Sequence, residues 1–96
     1  MSRQRSAKSE LTTLPNIGPE IAKKLKKLNI MTKRDFMSED PYYIFFMLLK
    51  KVDRTLCRCV LASIVGANLG VPWHEVTKDS AKQYEKLHPR HKWGPC

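Results

Sequence analysis

A chain of 96 residues with 42% apolar content allows one small core, burying a little over ~60% of the unfolded surface, and leaves no room for a second domain. Eighteen basic against nine acidic residues give a net charge of +9, which favours an anionic partner such as nucleic acid, with a solvated basic surface as the plainer alternative. Three cysteines are too few for a disulfide framework, no run approaches the ~18 apolar residues of a membrane span, and the basic N-terminus lacks the apolar stretch of a secretory signal, so the expected home is the cytoplasm.

Residues 1–8 are small, polar and aperiodic, which predicts a disordered basic arm carrying Arg3 and Arg5. Residues 9–88 form the expected helical domain. Within residues 11–28, Leu11 and Leu14 give a first short run an apolar edge, and Ile21, Ala22, Leu25 and Leu28 recur at the spacing of one helix face. Pro15 stops the first run, Gly18 and Asn16 tolerate positive φ, and Pro19 suits the first position of the next helix. This stretch resembles the helix-hairpin-helix motif of DNA-binding and repair proteins, whose core reads L-P-G-I-G-x-x-x-A. Leu14, Pro15, Ile17, Gly18 and Ala22 match, while Asn16 stands at the first glycine. The resemblance implies that backbone amides at the start of the second helix meet a phosphate, where free N–H groups and the helix dipole favour an anion.

Asn29 is a candidate C-terminal cap, Thr32 starts a short turn bearing Phe36 and Met37, and Asp40 with Pro41 starts the next helix. Residues 42–49 read YYIFFMLL, apolar all round, so this helix is either wholly core or offers Tyr43 and Met47 to a partner. Asp53 or Thr55 is expected to cap a central helix over 56–69, which Gly70 and Pro72 end. The turn at 71–76 plants Trp73, expected to plug the core, so that Trp73→Ala would cost ~3–5 kcal/mol. A last amphipathic helix starts at Thr77 or Asp79 and turns Ala81, Tyr84 and Leu87 inward; residues 89–96 are expected to be a flexible tail.

Leu56-Cys57, Leu61-Ala62, Gly66-Ala67, Gly70 and Trp73-His74, together with LPNIG and the following Ala22 and Leu25, resemble the C-terminal domain of the TfoX competence regulators over residues 10–88. The resemblance implies an all-α fold of the SAM-like class: a helix-hairpin-helix start followed by about three short helices. The N-terminal domain of the full regulators has no counterpart, Glu20 puts an acid beside the turn, and the 42–49 helix is greasier than is usual in the family.

Nucleic-acid contact is therefore assigned to Asn16, Ile17, Gly18, Lys23, Lys24, Lys27, Lys33 and Arg34. Amides and lysines read phosphate rather than bases, which predicts weakly sequence-selective binding, duplex DNA being the expected form. The opposing class is a protein-interaction or homodimer module built on Tyr43 and Met47. Cys57 and Cys59 diverge by ~200° on a helix, and His88, His91 and Cys96 lack paired spacing, so no metal is expected. His74 beside Glu75 has no third orienting group, so neither an enzyme nor a cofactor is expected.

Overall fold

The computed structural model describes residues 10–95 and contains helices and turns, with no strand among the described residues. The basic arm expected at 1–8 lies outside them. A 3-10 turn at Glu10–Thr13 leads into α1 (Pro19–Lys26), α2 (Lys33–Met37), α3 (Pro41–Lys51) and α4 (Arg58–Leu69); a second 3-10 turn at Trp73–Glu75 precedes α5 (Thr77–Leu87). The fold is all-α, as the periodicity predicts, and no helix among the described residues is long and apolar enough to cross a membrane.

The helix ends follow from local chemistry. Asn29 sits at φ +65°, with Ile30 N–H donating to Leu25 C=O (3.1 Å) and Asn29 N–H to Lys26 C=O (3.0 Å). This paired closure satisfies the last carbonyls of α1. Thr32 and Asp35 form a reciprocal capping box around the start of α2. The Met31 amide, donating at 2.9 Å, is the main reason Asp35 titrates below the usual carboxylate range, helped by Thr32. Asp40 accepts the Tyr42 N–H at 2.9 Å and Pro41 opens α3. Gly70 closes α4 in the left-handed region, φ +77°.

α4 is the centre. Residues 61–67 are all buried, which a helix can tolerate only when neighbours cover it on every side. α3 presents Ile44, Phe45 and Leu48, α5 presents Tyr84, the second 3-10 turn packs on the helix as well, and Leu11, Ile17, Leu25 and Phe36 belong to the same core cluster. Tyr84 meets Phe45 edge-on, centroids 5.1 Å apart, and burial raises its phenol above the ordinary range. α3 is therefore not wholly core: Tyr43 remains 51% exposed.

Four expectations are corrected. α4 begins at Arg58 with Cys57 before it, because Asp53 uses its carboxylate on Thr55, accepting both N–H (2.9 Å) and hydroxyl (2.5 Å). Leu87 is 55% exposed, and Ser80 takes the buried place beside Ala81 and Tyr84. Trp73 is not a core plug: the 3-10 turn leaves it 40% exposed, with His74 edge-on to its ring. The tryptophan that packs is Trp93, in the segment expected to be flexible. Its ring lies 5.8 Å from Phe45 and 5.6 Å from Tyr84, its indole N–H donates to Glu85 (2.8 Å), and Arg58 stands 5.6 Å over it. Gly94 N–H then donates to Leu56 C=O (3.1 Å), and a Cβ at Gly94 would collide with the Thr55 carbonyl. Residues 91–94 are thus docked on the start of α4.

Candidate nucleic-acid interface

The turn before α1 is built around Asn16. Its φ is +68°, so the left-handed residue is the one standing at the family motif's first glycine, while Gly18 is extended at φ −91° and caps α1. Asn16 is more than a tolerated substitute. Its Nδ2 donates to Val71 C=O (2.8 Å) and its Oδ1 accepts the Trp73 N–H (3.1 Å). The carboxamide clasps the turn to the segment beyond α4. Gly66 makes the room: a Cβ there would lie 2.6 Å from Asn16 Nδ2 and 2.7 Å from the Val71 carbonyl oxygen.

This geometry divides the eight residues assigned to nucleic acid. Asn16 is removed, since both ends of its side chain are engaged in the clasp. Ile17 is removed too: its side chain is buried and its amide turns back to Leu14 C=O at 3.4 Å. Gly18 stays. Its amide and those of Glu20 and Ile21, following from the unbonded first turn of a helix, have no acceptor among the described residues. Lys23 stands exposed within α1, and Lys27, one turn further on, is exposed at its C-cap. Lys24 points elsewhere, pairing with Asp53 at 3.4 Å. Asp53 is held below the usual carboxylate range chiefly by the Thr55 hydroxyl, with Lys24 adding to it. Lys33 and Arg34 are exposed at the start of α2. The Lys33 amide is already taken by Glu10 Oε1 (3.0 Å), which also ties the first 3-10 turn to α2.

Tyr43 and Met47, assigned to a partner, line a depression of about 250 Å³ together with Leu28, Ile44 and Lys27. One lysine of the basic track therefore borders the apolar face. His74 and Glu75 are both exposed on the second 3-10 turn. Among the described residues no three histidine, cysteine or acidic side chains gather as a metal site would require.

Fold and site together define a small, basic, all-helical domain whose first turn is locked against its central helix. The chain belongs to the Cdd1 pathogenicity-locus family, whose pattern matches residues 4–73. That match ends at Trp73, the residue whose amide Asn16 holds, and includes Gly66. The chain is also similar to an uncharacterized protein from Listeria monocytogenes known from a crystal structure, at 26% identity and a TM-score of 0.71, covering 85% of this chain and 97% of that one. No curated protein matches.

Proposed function

We propose that this protein is a non-enzymatic module that binds nucleic acid through its phosphate backbone, with duplex DNA as ligand and weak sequence selectivity. The observation that carries the reading is the set of three amides at the start of α1, Gly18, Glu20 and Ile21, without an acceptor among the described residues, together with exposed Lys23 within the helix and exposed Lys27 at its C-cap. Such amides sit at the positive end of the helix dipole and suit a phosphate oxygen. Lys33 and Arg34 extend the track. The exposed Glu20 beside the amides opposes an anion, so the affinity rests on the lysines. The likeness to the helix-hairpin-helix motif and to the TfoX C-terminal domain supports the same reading, with a regulatory or competence-related role in the cytoplasm.

The test is a fluorescence-anisotropy titration of a short labelled duplex across a salt series. Four cations meeting about four phosphates give a slope of log affinity against log salt near ~−4, and Lys23→Glu/Lys27→Glu reduces its magnitude by about 2. Lys24→Ala, which removes a lysine engaged with Asp53, leaves affinity close to wild type. Binding that is absent at low salt, or unchanged in the double variant, removes this function from α1.

The exposure of Tyr43 favours one second reading, a homodimer or partner face over Tyr43 and Met47. Light scattering of wild type beside Tyr43→Glu/Met47→Glu tests it: a dimer lost in the variant supports the face, and a monomer in both removes the homodimer.

A further inference from the structure

The docked tail creates a second surface. Between the ends of α3 and α5 and residues 89–92 lies a groove of about 650 Å³. Its floor is apolar, made by Phe46, Leu49 and the exposed Leu87. Lys50, Arg54, Arg90 and Lys92 border it, all four exposed, and no aspartate or glutamate lines it. Glu85, on the neighbouring face of α5, has its carboxylate on the Trp93 indole. The rings in the groove are engaged with one another: His88 stacks on Phe46 at 5.0 Å and lies 4.4 Å from Tyr84, while Lys50 Nζ sits 5.3 Å over Phe46. What the groove offers a ligand is therefore an apolar floor whose rings are already engaged, with a one-sign cationic border, rather than a row of free stacking faces for bases.

We propose that this groove docks an acidic amphipathic segment of a partner protein, placing leucine-sized side chains on Leu49 and Leu87 and carboxylates against Lys50, Arg54, Arg90 and Lys92. Charge complementarity selects the occupant. Four like charges around a concave apolar floor focus a positive potential, which attracts acidic segments and repels basic ones. An amphipathic helix matches such a groove with one apolar stripe. The surface is separate from the phosphate track. None of the residues lining the groove belongs to the track of Gly18, Glu20, Ile21, Lys23, Lys27, Lys33 and Arg34. Either function can fail without the other.

The experiment titrates the full chain with a fluorescein-labelled helical peptide of about 16 residues, leucine at i, i+3, i+4 and i+7 and glutamate elsewhere. Three comparisons accompany it: the same peptide with lysine for glutamate, a glutamate peptide with its leucines scattered off one face, and a single-stranded oligonucleotide. The glutamate peptide is expected to bind saturably, to weaken with salt, and to shift backbone amide resonances within residues 46–54 and 84–92. The lysine peptide does not bind, and the scattered peptide binds at least about tenfold more weakly because the apolar stripe is lost. Arg54→Glu/Arg90→Glu, both exposed and outside the core, weakens the peptide by about tenfold or more, Leu87→Ala weakens it without charge change, and Lys23→Glu/Lys27→Glu leaves it as in wild type. The proposal is overturned if no saturable binding occurs, if the shifts gather on α1 and α2, if the charge reversal changes nothing, or if the oligonucleotide and not the peptide occupies the groove.

Discussion

Gly66→Ala tests the interlock between the first turn and the central helix. In an exposed helix interior this substitution stabilises by about 1 kcal/mol, because alanine loses less backbone entropy than glycine. Here the new methyl would sit 2.6 Å from Asn16 Nδ2 and 2.7 Å from the Val71 carbonyl oxygen, well inside van der Waals contact. Relieving that clash pushes the carboxamide away and breaks both clasp hydrogen bonds, each worth about 1 kcal/mol net. Residual overpacking adds about 1–3 kcal/mol. The balance is a loss of about 2–4 kcal/mol, a drop in Tm of roughly 10–25 °C for a domain of this size. Asn16→Gly isolates the hydrogen bonds, since glycine keeps the φ of +68° without strain, and costs about 1–2 kcal/mol. In the double variant the clasp can be lost only once, so the two costs fall short of additivity by about 1–2 kcal/mol. Urea denaturation of the four proteins measures the cycle. A Gly66→Ala protein as stable as wild type, or costs that simply add, would refute the interlock.

Two further outcomes concern the tryptophans and His91. Trp73→Ala costs under about 1 kcal/mol, as for an exposed side chain, whereas the half-buried Trp93 costs about 2 kcal/mol on truncation, below the value for a fully buried ring; denaturant midpoints of the two variants decide the order. His91 is pushed below its ordinary value of 6.5 by burial first and by His88 second, and its Nε2 is buried without a partner among the described residues. Its neutral form is the one the fold holds, so the associated stability is present above about pH 6.5 and is lost as pH falls through the lower value His91 takes when folded. The Trp93 indole N–H resonance followed down that range should broaden or move toward its free position, and an unchanged resonance with His91 protonated counts against the docked arrangement.

The helical class, the proline-led starts of α1 and α3, the caps at Thr32 and Asp40 and the closure at Gly70 were all legible, because each depends on residues within a turn of one another. What escaped was decided by distant partners. Asn16 reads locally as a poor glycine, and only the approach of Val71 and Trp73 shows why an amide-bearing side chain stands there. Of the two tryptophans, the one in the well-patterned G-x-x-W-H turn faces outward, and the one in a polar tail is held inward by Phe45, Tyr84 and Arg58, which no local pattern connects to it. A tryptophan followed directly by a glycine was the available hint. On α1, helical spacing separates Lys23 and Lys27 from Lys24, but the ion pair with Asp53 depends on how the α3–α4 connection folds back.

The clasp also bears on the order in which the molecule becomes rigid. Asn16 is bonded to groups 55 and 57 residues later. Closing a flexible loop of that length costs about 3.5 kcal/mol of chain entropy before any constant is added, more than two hydrogen bonds of about 1 kcal/mol each return. The clasp therefore cannot gather the chain. α4 and its apolar neighbours must first bring Gly66 and Val71 against the turn, after which the carboxamide closes. On a nascent chain α1 is made before α4, yet the turn ahead of it has nothing to hold until Trp73 has followed. The surface assigned to phosphate is thus among the last parts of the chain to set, and a chain interrupted before residue 71 would carry its lysines on an unanchored turn.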